Sequence, residues 1–436
     1  MDYLFVHQNC PGQFKHLAPR LAARPDSRVA FISKPGRPTP PGVTKVEYKL
    51  GREPTPNLHR YLRNFEQAVI HGQAVARAAL ALKNSGFRPG LIYAHPGWGE
   101  ALFLKDVFPD AKVLHFCEFY YHAHGADVGF EPGEAVSLDD EARLRIKNAN
   151  NLMSLEACDW GISPTRWQWQ QYPAEFRDRI SVVFDGVDTA VCRPVPEASL
   201  TLPDGRVLRR GQEVVTYVAR NLEPYRGFHV FMRAAAEIQR RRPEAQIVVV
   251  GGDQVSYGRG APDGRTWRET LLDEVGPALD ASRIHFLGWV PYERYLEVLR
   301  VSAAHVYLTY PFVLSWSMME AMASECLIVG SATPPVMEVV EDGVNGLLTD
   351  FHDPAALAAR VAEALAHPDR HAALRAAARR TVVERYALED CIGRQLGVVD
   401  ALLAGRRPDL PAPLPLAPVP PRPPAGAPTR VDTPAR

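Results

Sequence analysis

Arg220 and Arg226 follow the strand-like run Val214 to Ala219, and farther along come Ser315-Trp316-Ser317-Met318-Met319-Glu320-Ala321-Met322-Ala323 and Pro335-Val336-Met337-Glu338. A guanidinium holds phosphate oxygens through a planar fork, and a carboxylate accepts hydrogen bonds from sugar hydroxyls. In a loop that enters a helix, two arginines six residues apart can converge on one diphosphate. Two ordinary surface arginines account for the spacing equally well. Ser317 and Glu320 also read as a capping box, with serine at the N-cap and glutamate at N3 in the first turn of the helix. That is a structural reason for Glu320, yet the same helix start offers free N–H groups to an anion. Together these residues point to a site for a sugar-bearing nucleotide.

Three further loops carry groups that could do chemistry. Gln8-Asn9-Cys10-Pro11-Gly12-Gln13 follows the first strand, and Gly12 permits a tight turn and close approach of backbone to ligand. No Gly-x-Gly-x-x-Gly accompanies it, so a dinucleotide fingerprint is absent. His95-Pro96-Gly97-Trp98-Gly99-Glu100 follows another strand, and its His95, Trp98 and Glu100 could position an acceptor hydroxyl or simply pack a turn. Cys117-Glu118-Phe119-Tyr120-Tyr121-His122-Ala123-His124 follows a third. His122 and His124 have no third ligand nearby, so no metal site is expected.

These loops need a scaffold that places them at one edge. The chain has 436 residues, with 46% hydrophobic and 23% charged, which suits a soluble chain of two domains rather than one core. Fifty basic and fifty acidic side chains balance, which removes the electrostatic case for a nucleic-acid partner. The six cysteines form no Cys-x-x-Cys pair, so neither zinc nor a disulfide framework is supported. No signal peptide or membrane-spanning run is evident, and a cytoplasmic protein is expected. A peripheral contact with the inner face of a membrane stays open through the basic Arg143, Arg145 and Lys147, although a solvated helix face explains them more simply.

The order of elements is that of alternating strands and helices, which argues parallel sheets covered on both faces. Strands are predicted at Tyr3–His7, Val29–Ser33, Leu91–Ala94, Lys112–Phe116 and Ile180–Phe184. Helices are predicted at Phe14–Ala23, Leu58–Leu82 and Glu141–Cys158. The pattern breaks near Arg193–Pro196, and Leu202–Gln212 is polar and turn-rich. It restarts with strands at Val214–Ala219, Gln246–Val250, Ile284–Leu287, Val306–Thr309 and Leu327–Gly330, and with helices at Phe228–Arg240, Pro354–Ala366 and His371–Tyr386. The predicted domains are 1–196 and 197–385, followed by a helix at 386–405 that returns to the N-terminal domain. Residues 406–436 are rich in proline and alanine and are expected to be disordered.

In these motifs the chain resembles glycosyltransferase family 4, the retaining GT-B class. Arg220 with Arg226-Gly227, Val248–Gly252, His285–Val290, Glu320-Ala321-Met322-Ala323, Pro335–Glu338, Asp342–Leu347 and Asp185-Gly186-Val187-Asp188 carry the likeness jointly. The resemblance implies two Rossmann-like domains facing across a cleft, and retaining transfer of a sugar from a nucleotide-sugar to a glycan, lipid-linked or small-molecule hydroxyl. It needs no cofactor and no metal. Arg220, Arg226 and Glu118 would be catalytic. Gly12, Gly251, Gly288, Val290, Ser315, Trp316, Ser317 and Glu320 would hold the donor, and His95, Trp98 and Glu100 would lie on the acceptor side. Two departures stand out: Phe312 occupies the place of the family's first glutamate, and Glu118 that of its acceptor-side histidine. They keep two other readings in view, a nucleotide-sugar epimerase and a nucleotide-sugar-binding protein without catalysis.

Overall fold

The computed structural model describes residues 1–36 and 38–410, divided into two compact units. Unit 1 comprises Met1–Asp185 and the chain from Ile392, and unit 2 is Gly186–Cys391. The units therefore divide at Gly186, before the composition break near Arg193–Pro196. The second division falls inside the helix Leu388–Leu403.

Unit 1 is built on seven strands: β1 (Asp2–Val6), β2 (Arg28–Ser33), β3 (Val43–Glu47), β4 (Pro89–Ala94), β5 (Lys112–Phe116), β6 (Trp160–Ser163) and β7 (Ile180–Val182). They lie in the order β3-β2-β1-β4-β5-β6-β7, every neighbouring pair parallel. The central strands are continuous apolar runs because helices cover both faces. On one face Leu4, Val6, Ile32 and Ile92 pack with Val75 and Ala79 of the helix Arg63–Asn84. On the other, Phe5, Phe14, Phe31 and Tyr93 form an aromatic cluster. The last part of the chain closes this unit. Arg24 pairs bidentately with Asp400 at 2.7 and 2.9 Å, and Gln395 donates to the carbonyl of Phe184.

Unit 2 opens with an antiparallel hairpin, β8 (Ser199–Thr201) and β9 (Val207–Arg209), inside the stretch read as polar and turn-rich. Its Leu200, Leu202 and Leu208 are buried against Val214, Val248 and Val298, so alternation rather than overall polarity decides the structure here. The main sheet contains β10 (Val214–Asn221), β11 (Gln246–Gly252), β12 (Ile284–Gly288), β13 (Ala304–Tyr307), β14 (Ile328–Ser331) and β15 (Leu347–Thr349). The order is β12-β11-β10-β13-β14-β15, all parallel.

Some local expectations need correction. The helix expected over Glu141–Cys158 is two, Leu138–Lys147 and Ala149–Ala157, separated at Asn148, whose side chain bonds the backbone of Tyr121 in both directions. The long helix begins at Arg63 rather than Leu58. The start of the proline-rich segment is held: Arg407 donates to the carbonyl of Asp178, and Ser181 donates to that of Asp409 at 2.5 Å. The rest of that segment, 411–436, lies outside the described residues. No helix among the described residues is long and apolar enough to cross a membrane. The basic helix expected to present Arg143, Arg145 and Lys147 is partly neutralised. Arg143 pairs with Asp140, and Lys147 sits 3.4 Å from the centre of the Tyr121 ring, where burial lowers its pKa to about 8.

Candidate functional site

In each sheet the strand order reverses once, between β1 and β4 and between β10 and β13. At such a reversal the loops leaving adjacent strands diverge and open a crevice at their carboxyl ends. Several of the residues singled out in the sequence lie at these two places, and others do not.

In unit 2 the decisive group is Arg226. It ends a short turn, Pro224–Arg226, and Gly227 follows at φ 67°. A Cβ on Gly227 would lie 2.3 Å from the Cβ of Leu308, so only glycine lets the chain turn here against the β13 loop. That turn points Arg226 across the reversal. Its Nη1 donates to Thr309 Oγ1 at 2.8 Å and to the carbonyl of Val313 at 2.9 Å, with Tyr307 Oη at 3.4 Å. The ring of Tyr257 lies 5.2 Å from its guanidinium carbon. Arg226 is only 8% exposed, and no carboxylate pairs with it among the described residues. A guanidinium stays charged at any ordinary pH, and a buried charge is expected to find a counter-charge. Here neutral acceptors surround it, and an anion would complete it.

Beside it stands the helix Trp316–Ala323, capped by Ser315, whose Oγ accepts from the N–H of Ser317 and lies 2.9 Å from the Ser317 hydroxyl. The capping box read from Ser317 and Glu320 is thus overturned: Ser315 is the cap, and Glu320 lies past the first turn. Tyr292 Oη donates to Glu320 Oε1 at 2.9 Å and Tyr295 Oη to Oε2 at 2.7 Å. Burial, aided by Glu320, holds both phenols protonated, so they serve it as donors. A carboxylate has about four acceptor positions, and about two remain for further hydroxyls.

Arg220 is exposed, and its side chain makes no hydrogen bond or ion pair with a described residue. Its carbonyl accepts from Trp289 Nε1 at 2.7 Å, and the Trp289 indole is 65% exposed. Of the donor-side glycines, Gly288 has φ 65°, and Gly251 is packed so that a Cβ would meet Leu222 at 2.8 Å. Val290 does not join the site, since it packs on the Leu200–Val248 core. Trp316 is half-buried at the helix start.

Sequence reasoning missed what sets the loops. Glu223 is fully buried and accepts the backbone N–H groups of Ser256, Tyr257 and Gly258 at 3.0–3.1 Å. It thereby fixes Tyr257 against Arg226. Phe312 packs on Tyr257 and Tyr225, ring centres 5.0 and 5.5 Å away, so an aromatic wall stands where a carboxylate was expected. Tyrosines at 225 and 257 and Glu223 were visible as types, but only the fold brings them together.

Unit 1 has its own cluster. Gly12 (φ 51°) lies against the ring of His7, where a Cβ would be 3.0 Å away. His95 Nδ1 accepts from the N–H of Gly97 at 3.1 Å, and its Nε2 meets Glu118 Oε2 at 3.2 Å. Gln13 donates to Glu118 Oε1 at 2.9 Å. Burial works to raise the Glu118 pKa, but His95, His7 and Gln13 outweigh it and hold the carboxyl below its usual range. Trp98 stacks on His95 with ring centres 4.5 Å apart. Glu100, expected on the acceptor side, does not join them. It is fully buried, 2.8 Å from Tyr48 Oη and 3.2 Å from His71 Nδ1. His122 and His124 bond separately to the carbonyl of Gln171 and to Glu141. No cluster of three or more His, Cys, Asp or Glu fit to hold a metal occurs among the described residues.

Two family descriptions match this chain, "Glycosyl transferase family 4 group" over residues 25–192 and "Glycosyl transferases group 1" over 203–381. The chain belongs to glycosyltransferase family 4. A D-inositol 3-phosphate glycosyltransferase of Nocardia farcinica is 32% identical over 197 residues, 44% of this chain and 41% of that protein. The match thus spans less than half of that relative's length. Among solved structures, a sucrose-phosphate synthase from Thermosynechococcus elongatus superposes with a TM-score of 0.70 at 20% identity, covering 93% of this chain and all of that one. Anabaena HepE in complex with UDP-glucose gives 0.64 at 15% identity, covering 92% and 100%. Both are GT-B neighbours of a chain made of two parallel-sheet α/β units.

Proposed function

We propose that this family 4 chain moves a sugar from a nucleoside-diphosphate sugar to a hydroxyl of an acceptor, with retention at the anomeric carbon. The observation that carries the reading is Arg226, buried without a counter-charge at the strand-order reversal of unit 2 and next to a helix start. The donor diphosphate would be the missing anion, shared between Arg226, the exposed Arg220 and the N–H groups that open Trp316–Ala323. Glu320 would spend its free acceptor positions on the ribose. As the bond to the sugar breaks, negative charge grows on the departing phosphate, and preorganised guanidiniums stabilise that charge more than the ground state. The phosphate oxygen released then takes the acceptor's proton on the same face. That HepE was solved with UDP-glucose supports a uridine donor as the first to try.

The test is nucleotide release from a panel of nucleotide sugars, with chelator present and no acceptor added. Slow release from one donor supports the reading and names the nucleotide. Binding of nucleotide with no release, even with acceptors added, would favour a binding protein, as the aromatic replacement at Phe312 allows. A sugar altered at one carbon with no glycoside formed would favour an epimerase.

Glu320→Gln should raise the donor KM about tenfold with kcat little changed, since a uniform contact to the ribose is lost. A fall in kcat at constant KM would remove Glu320 from the ribose.

A further inference from the structure

We propose that Glu100 is a positioning residue for sugar transfer: with Tyr48 and His71 it clamps the turn His95–Gly99 onto the helix Arg63–Asn84, and through that turn it sets the His95–Glu118 pair. Glu100 acts through these groups and touches no substrate. The inference rests on the transferase reading and extends it to a carboxylate buried behind the unit 1 cluster.

The clamp joins three elements. Tyr48 follows β3, His71 lies in the helix Arg63–Asn84, and Glu100 closes the turn that leaves β4. All three side chains are buried, Glu100 at 0% exposure. Tyr48 Oη donates its only proton to Glu100 Oε1 at 2.8 Å. His71 Nδ1 stands 3.1 Å from Tyr48 Oη and 3.2 Å from Glu100 Oε1. Both oxygens can then only accept from it, so Nδ1 carries a proton. Burial works to raise the Glu100 pKa, but His71 and Tyr48 outweigh it and hold the carboxyl below its usual range. The turn also rests directly on the helix. Gly99 has φ 100°, and a Cβ there would lie 2.2 Å from the Ala68 carbonyl oxygen, so the two backbones touch.

From the turn the constraint passes to the cluster. The Pro96 carbonyl accepts from Asn150 Nδ2 at 2.7 Å and from the N–H of Gly99 at 3.1 Å. The N–H of Gly97 aims the His95 ring by donating to Nδ1, which leaves Nε2 to face Glu118 Oε2 at 3.2 Å. A displacement of the turn by roughly 1 Å would open that contact, and misplacement on this scale is enough to slow a reaction severely. Packing alone does not require a carboxylate at Glu100. An ionised group is costly to bury, and apolar side chains of similar volume often hold a fold as well or better. What a charged, hydrogen-bonded anchor adds is direction: it fixes one position of the turn, where apolar contacts would let it slide. Such an anchor stands one residue past the turn that carries His95 and Trp98, and this placement ties it to the reaction.

Glu100→Gln keeps the shape and an acceptor for Tyr48 but removes the charge that faces His71. With the full chain and the donor selected by nucleotide release, kcat for release should fall about tenfold or more while the donor KM stays within about twofold. Calorimetry should still find nucleotide bound stoichiometrically. Tyr48→Phe should act in the same direction, and decides alone if Glu100→Gln does not fold. In both variants the amides of Gly97 and Gly99 should exchange with solvent about tenfold faster, while those of the helix Arg63–Asn84 stay protected. Val113→Ala, a truncation in the core of the same unit, controls for lost stability and should leave kcat and exchange as in wild type. Unchanged exchange at Gly97 and Gly99, unchanged kcat, an equal fall in kcat in Val113→Ala, or a donor KM that rises as kcat falls overturns the proposal while wild-type release keeps the transferase reading standing. Absence of nucleotide release by the wild type from every donor, with or without acceptors, removes the transferase reading and the proposed role with it.

Discussion

Arg226→Ala should lower kcat/KM for the donor by roughly 10²–10³, or about 3–4 kcal/mol, the usual loss when one preorganised donor is taken from a developing oxyanion. The side chain also bonds Thr309 and Val313, so the variant is expected to lose some stability as well. Arg226→Lys separates the two effects. It keeps the charge and most of the volume but loses the planar fork, and activity should fall to an intermediate level while the fold stays close to wild type. Steady-state kinetics beside a guanidinium melt would show this. Unchanged turnover in either variant would place the diphosphate elsewhere.

Much of this site could be read from the chain because its parts are local. Both arginines were expected in a loop that enters a helix: Arg226 does lie in the turn before the helix Phe228–Arg241, whereas Arg220 stands near the end of β10 itself. Ten of the thirteen strands in the two main sheets announced themselves as apolar runs, since parallel strands buried on both faces leave no polar alternation to confuse them. The half-exposed edge strand β3 and the short β6 and β15 did not. What stayed hidden was set by partners distant in sequence. Glu320 looked like a cap because Ser317 stands three residues before it, yet its carboxylate goes to Tyr292 and Tyr295 on a preceding helix. Glu100 looked like an acceptor contact because glycines frame its loop, yet it turns inward to Tyr48 and His71. The hairpin of β8 and β9 was masked by its brevity, three residues a strand, and by the exposed turn with Asp204, Gly205 and Arg206 between them. In each case the residue type was visible and its direction was not.

Glu223→Ala should be the most destabilising single change near the site. Glu223 accepts three backbone N–H groups in a fully buried position. Removing it leaves three donors without a partner, a cost on the order of 3–5 kcal/mol after partial rehydration of the loop. For a unit of this size the melting temperature should fall by roughly 6–15 °C. Tyr257 would lose its anchor over Arg226, so nucleotide affinity should drop together with stability. Glu223→Gln keeps one acceptor oxygen and should fall about midway. A calorimetric scan with and without nucleotide reads both effects. A melting temperature unchanged in the alanine variant would mean that Ser256–Gly258 is held by something other than this carboxylate.

The division of the chain has a consequence for its synthesis. Unit 2 is one unbroken stretch, Gly186–Cys391, whereas unit 1 needs residues from both ends, with Arg24 waiting for Asp400 and Phe184 for Gln395. Domains ordinarily complete in the order they leave the ribosome, N-terminal first. Here the first-made sheet must wait, partly uncovered, through the translation of the whole second unit. The helix Leu388–Leu403 and the residues just after it are then what complete a sheet begun before unit 2.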